Sequence, residues 1–231
     1  MVVSEVVDKV RSRGYWDVAI RPETYQDERV PYAELDEIVR AAEVRMRGWP
    51  VPYFDPREQP LRGANWIGQD VDATVVAHYE AWRFHTSGQF NHLRAIDADW
   101  RHTSEISPTP ASDEKVIQVW EVLFYLTEIF EFAARLALGP SGDETMVVDV
   151  GLHGLAGRGL IVGQRNRAEF FQPYRTNETS LQQGVTATRQ ELIAKPRELA
   201  VDMAIEFFVR FGWKPSRDQL AEHQRELTDR V

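Results

Sequence analysis

Between Ser112 and Gly139-Pro140, apolar residues recur at the spacing of one helix face: Ile117, Trp120, Leu123, Phe124, Ile129, Phe130, Ala133, Leu136 and Ala137. Serine is a favoured helix N-cap and a Gly-Pro pair a stop, so the spacing predicts one helix from Ser112 to about Leu138. At about 1.5 Å per residue it would be roughly 40 Å long, enough to cross a whole sheet. A stripe this broad must be buried against a layer of similar width. The same stretch carries Gln118, Glu121, Glu128, Glu131 and Arg135, too many polar and charged groups for a membrane span.

The layer beneath it is readable as strands. Tyr15 to Arg21 alternates, with Trp16, Val18 and Ile20 on one side and Pro22 at its end. Residues 77–96 hold two aromatic-rich alternating runs on either side of Ser87-Gly88, which reads as a hairpin with a two-residue turn. Pairing Thr86 with Gln89 sets Trp82 opposite Leu93 and Phe84 opposite Asn91. Trp82 and Phe84 then face the core, Trp82 near Trp120. Arg83, His85, His92 and Arg94 share the other face. Met146 to Leu152 and Leu160 to Gly163 are further strands, joined by the glycine-rich run 151–159, with weaker candidates near Phe170 and Val185. Val44 to Trp49 also returns to a period of two, and residues 56–65 read as a surface loop.

Helices are predicted from Ser4 to about Gly14, over residues 31–43, from Pro196 to Gly212, and from Ser216 to the end. Strands come in runs without βαβ alternation, which predicts an α+β fold: a mostly antiparallel sheet packed against a long central helix, with C-terminal helices. Residues 1–231 are read as one domain, with 1–56 as a candidate N-terminal subregion.

Composition then excludes whole classes. The 231 residues include 43% hydrophobic and 27% charged residues, ordinary for a globular protein. With no cysteine, disulfides, thiolate nucleophiles and Cys-ligated metals are impossible. The formal net charge of −9 makes the chain as a whole a poor attractor of nucleic acid or anionic lipid. The N-terminal segment is too charged for a signal peptide, and an acidic, cysteine-free chain fits a microbial cytoplasm.

Motifs that carry chemistry are sparse. The run Gly151 to Gly159 matches neither a phosphate-binding loop nor a dinucleotide fingerprint, and turns between strands explain its glycines. No G-x-S-x-G marks a nucleophile. His92, Asp97, Asp99 and His102 lie within eleven residues, with His85 across the hairpin. Histidine and carboxylate ligands suit Zn, Mn or Fe, so a metal-dependent hydrolase or nuclease is the alternative reading. More informative is local charge. Residues 154–176 carry Arg158, Arg165, Arg167 and Arg175 against Glu169 alone, interleaved with Phe170, Phe171 and Tyr174. Together with Arg83, His85, His92 and Arg94 on the hairpin, these form a candidate surface for stacking bases and holding phosphates. The competing explanation pairs the arginines with the abundant carboxylates.

The phrases Arg13-Gly14-Tyr15-Trp16, Arg47-Gly48-Trp49, Trp82-Arg83-Phe84 with Ser87-Gly88-Gln89-Phe90, Phe130-Glu131-Phe132-Ala133-Ala134-Arg135-Leu136 and Phe211-Gly212-Trp213 resemble an uncharacterised bacterial domain. That domain accompanies proteins with AlbA- or Schlafen-like DNA-binding regions, some of them linked to phage defence. The lysine- and glycine-rich stretch of the AlbA-like part is absent, so the resemblance is to the accompanying domain and does not carry DNA binding with it. It implies a non-enzymatic recognition or assembly module of a bacterial cytoplasmic, antiviral system. Such a module would need no cofactor and no membrane. Its expected partners are a protein of the same system, nucleic acid, or a second copy of itself.

Overall fold

A computed structural model describes residues 4–101, 105–106, 114–163 and 167–228. In chain order the elements are α1 (Glu5–Arg11), β1 (Tyr15–Pro22), α2 (Leu35–Ala42), β2 (Leu61–Arg62), β3 (Trp66–Ala73), β4 (His78–His85), β5 (Phe90–Ala95), β6 (Val116–Gln118) and α3 (Val119–Leu138). They continue with β7 (Thr145–His153), β8 (Gly159–Ile161), β9 (Tyr174–Arg175), β10 (Ser180–Thr188), α4 (Arg189–Ala194), α5 (Pro196–Arg210) and α6 (Arg217–Thr228). Seven strands form one sheet in the order β10-β7-β1-β5-β4-β3-β2, every neighbouring pair antiparallel. A small second sheet, β6-β8-β9, joins β6 to β8 in parallel. The fold is α+β, and among the described residues no helix is long and apolar enough to cross a membrane.

Alternation along β1 buries Trp16, Val18 and Ile20, and that face meets the helices. Trp16 packs on Tyr125 of α3 at 5.1 Å and edge-on to Phe207 of α5 at 5.9 Å, while Phe90 of β5 packs on Phe132 of α3 at 4.6 Å. A single cluster of buried apolar side chains runs from Trp16 to Leu220. On the other face α1 covers a smaller patch around Val10, Tyr79 and Ala95.

Two expectations are corrected by the sheets. Val116 to Gln118 do not begin the long helix: they form β6, and Arg158 Nη1 donates to the Val116 carbonyl at 2.8 Å. Helix α3 therefore starts at Val119 and is 20 residues, about 30 Å, long. Ser112, the expected cap, lies outside the described residues. The second correction is the hairpin. Its loop is Thr86-Ser87-Gly88, three residues, with Gly88 at φ +83° and the His85 N–H bonded to the Gln89 carbonyl at 2.9 Å. That slides the register by one: Trp82 faces His92 and Phe84 faces Phe90. Because side chains alternate at every residue, the slip turns His92 and Arg94 onto the buried face. Trp82 is buried as expected, but packs on Phe54 at 4.8 Å, while Trp120 lies against Phe124 at 5.9 Å. Elsewhere, Val44 to Trp49 makes only the isolated bridge Val44–Val51, and the strand expected near Phe170 is replaced by β9.

Candidate functional site

The register slip assembles a polar cluster where a core would ordinarily be apolar. His78, Glu80 and Trp82 follow one another on the inner face of β4, and Glu80 is paired with Arg94 of β5. The first turns of α3 bring Glu121, Tyr125 and Glu128 to the same place, all three buried. Arg47 and Trp49 enter from the segment after α2, and Asp97 and Arg101 from the turn after β5.

Glu80 is fully buried and has partners on both oxygens. Oε1 accepts from the Tyr53 backbone N–H at 2.7 Å, and Oε2 lies 2.7 Å from His78 Nε2 and 3.4 Å from His92 Nε2. Burial alone would raise its pKa, but the charges of His92 and His78 outweigh burial and hold the carboxyl far below the usual range. His92 Nδ1 is 3.0 Å from the Tyr125 hydroxyl, whose pKa burial pushes well above that of a free phenol.

On the other side of this chain lies a cleft of about 270 Å³, lined by Arg47, Arg94, Arg101, His78 and Asp97 together with Trp49, Trp120 and Val76. Arg47 grips Glu128 with a two-point contact, Nε to Oε1 at 2.9 Å. Arg94 is 7% exposed, and its guanidinium sits over the Tyr125 ring at 5.0 Å. Its hydrogen-bonding partner is Asp97, with Nη2 3.5 Å from each carboxylate oxygen, the outer limit of a hydrogen bond. Arg101 reaches the same carboxylate at 3.4 Å. Burial would raise the Asp97 pKa, but Arg94 and Arg101 outweigh it and keep the group ionised. Glu121 goes the other way. Burial first, then the charge of Asp97, push its pKa up to about 7. Its Oε1 accepts from the Asp97 N–H at 3.1 Å, while its buried Oε2 meets no partner. Three guanidinium groups thus stand among four carboxylates, Glu80, Asp97, Glu121 and Glu128, so the cluster as a whole carries no excess of positive charge.

The other residues singled out in the sequence lie elsewhere. Arg83 is closed off: Nη2 pairs with Asp70 at 2.6 Å, Nη1 donates to the Gln69 and Trp82 carbonyls, and the guanidinium stacks on Trp66. His85 is half-buried beside it, its pKa lowered by burial and then by Arg83. Arg158 is fully buried in a two-point bridge with Asp99 at 2.7 Å and donates to the Gly154 and Val116 carbonyls, so it braces structure and offers nothing to a ligand. Arg167 bonds His223 and Glu226 at a separate aromatic cleft of about 560 Å³. Of the metal set, His92 is enclosed between Tyr125, bonded to its Nδ1, and Glu80, 3.4 Å from its unbonded Nε2, and Asp99 is taken up by Arg158. Among the described residues no group of three His, Asp or Glu is placed to hold a metal ion. Arg165 and His102 lie outside the described residues.

Sequence reasoning singled out Arg94, His92 and Asp97 but assigned them other surroundings, and it missed His78, Glu80, Arg101 and Glu121 as a group. The one local signal was the phrase Arg47-Gly48-Trp49, whose arginine and tryptophan both line the cleft. Comparison with known proteins finds no matching family model, no similar curated protein and no similar solved structure.

Proposed function

We propose that this chain is a recognition module that captures a phosphate-bearing ligand in the cleft of Arg47, Arg94 and Arg101. The observation that carries the reading is Arg94: a guanidinium nine-tenths buried, lining a cleft, resting on the Tyr125 ring and hydrogen-bonded only at long range, to Asp97. Among the described residues the other donors of Arg94 meet no acceptor, and a bound anion would supply one. Arg47 and Arg101 line the same cleft, and guanidinium forks match phosphate oxygens in pairs. The wider setting implied by the sequence resemblance, assembly within a bacterial defence system, is supported only by the phrases that carry that resemblance.

Titration calorimetry with inorganic phosphate tests the reading. One molecule per chain should bind, and Arg101→Gln should weaken binding by about tenfold, as loss of one charge-assisted contact does. Absence of phosphate binding, or an Arg101→Gln protein that binds as well as the parent, would sink the proposal.

A further inference from the structure

The cleft that gathers the arginines is only half polar, and its other half says what the phosphate is attached to. We infer that the cleft takes a phosphomonoester joined to a single nucleobase: a nucleoside monophosphate, or the phosphorylated end of a nucleic acid strand. The inference rests on the phosphate reading above and goes beyond it in naming the rest of the ligand.

Two features point there. First, Trp49 and Trp120 line the same cleft as the guanidinium groups, and both indoles are held in place. Trp49 stacks on Tyr53 at 4.4 Å and leans on His78 at 4.7 Å, while Trp120 Nε1 donates to the Gly163 carbonyl at 2.6 Å. A fixed aromatic wall loses little freedom when a flat ring stacks on it, and every base offers such a ring. Second, the dimensions are restrictive. At about 270 Å³ the cleft lies at the small end of ligand sites, with room for one phosphate and one ring but not for a run of nucleotides. A carboxylate in place of the phosphate is the poorer match, since its two oxygens accept fewer bonds than three guanidinium forks can donate.

Calorimetry on the full chain with four probes decides: inorganic phosphate, adenosine, adenosine 5′-monophosphate and a 5′-phosphorylated deoxyadenosine dinucleotide. The monophosphate should bind at least tenfold tighter than either phosphate or adenosine. Trp49→Leu should bring the monophosphate down to the level of phosphate while phosphate itself stays within about twofold, which also reports an intact fold. Should that variant fail to fold, Trp49→Phe keeps an aromatic face while losing the fused ring. It should then lose about threefold for the monophosphate and nothing for phosphate. A dinucleotide within threefold of the monophosphate assigns the site to strand ends as well, and one more than tenfold weaker assigns it to the free nucleotide. A monophosphate no tighter than phosphate, or a folded Trp49 variant that binds it unchanged, overturns the inference and leaves the phosphate reading standing. If neither phosphate nor monophosphate binds, both fall.

Discussion

The Glu80 carboxylate lies 2.7 Å from His78 Nε2, and neither side chain is more than 8% exposed. Removing the charged member of a buried hydrogen-bonded contact costs on the order of 1.5–3 kcal/mol. Glu80→Gln should therefore destabilise the protein by about that amount at pH 7. The pH dependence has a definite sign. Glu80 has a folded pKa below its unfolded value of about 4.3, so its contribution is complete above that value and drains away as pH falls below it. Denaturant unfolding at pH 7 and pH 3.5 should show a steeper loss for the parent than for Glu80→Gln. Parallel losses would mean that the carboxylate is not held ionised by its histidines.

Glu121 titrates in the opposite sense. Its folded pKa, about 7, exceeds the unfolded value of about 4.3, so the folded state holds the proton more tightly. The stability this provides is full below the unfolded value and is lost as pH rises through 7. Glu121→Gln resembles the protonated form and keeps an acceptor for the Asp97 N–H. It should gain about 1–3 kcal/mol over the parent at pH 8 and nothing at pH 4. Equal stabilities at pH 8 would show that the carboxyl is already ionised without cost.

Arg158 and Arg101 should separate cleanly by two readouts. Arg158, with its two-point bridge to Asp99 and no exposed side-chain surface, should cost on the order of 3–5 kcal/mol when changed to Gln. Whatever fraction folds should bind phosphate as the parent does. The Arg101 side chain is 38% exposed, and Arg101→Gln should cost less than about 1 kcal/mol while weakening phosphate binding. The reverse pattern would place the ligand at Arg158 instead.

Gly88 sits at φ +83°, and a methyl group there would come within 2.7 Å of the Ser141 carbonyl oxygen. Gly88→Ala should cost roughly 1–3 kcal/mol, from left-handed strain together with that close approach. A cost below about 0.5 kcal/mol, measured by denaturant unfolding, would show that the turn relaxes.

That turn also explains what the sequence did and did not disclose. Ser87-Gly88 is a good two-residue hairpin signal, yet Thr86 joins the loop, its N–H bonded to the Asn65 carbonyl at 2.8 Å and its hydroxyl to that of Asp27 at 2.9 Å. Both partners come from distant segments, so no local pattern announces the third loop residue. Periodicity was reliable where one face is uniformly apolar, as in β1, in most of α3 and in α5. It failed where the inner face is itself polar: Glu80, His92 and Arg94 occupy core positions, and alternation assigns such residues to solvent. Strand β3 gave little sign, because Gln69 and Asp70 break up its apolar alternation. The cleft was harder still, since its residues come from four separate segments, and distance along the chain says nothing about their convergence.

Strand β1 lies between β5 and β7, and this position has a consequence for the order in which the protein is made. Strands β1 to β5 all precede residue 96, so they can pair as soon as they leave the ribosome. Their shared face then displays Trp16, Val18 and Ile20 with only α2 of its helices made, because α3 and α5 follow later in the chain. The far edge of β1 stays open until β7, beginning at Thr145, arrives to pair with it. Such an edge, beside an apolar face still missing α3 and α5, is a template for another strand. For this fold, the interval between synthesis of β5 and arrival of β7 is when a nascent chain most needs a chaperone.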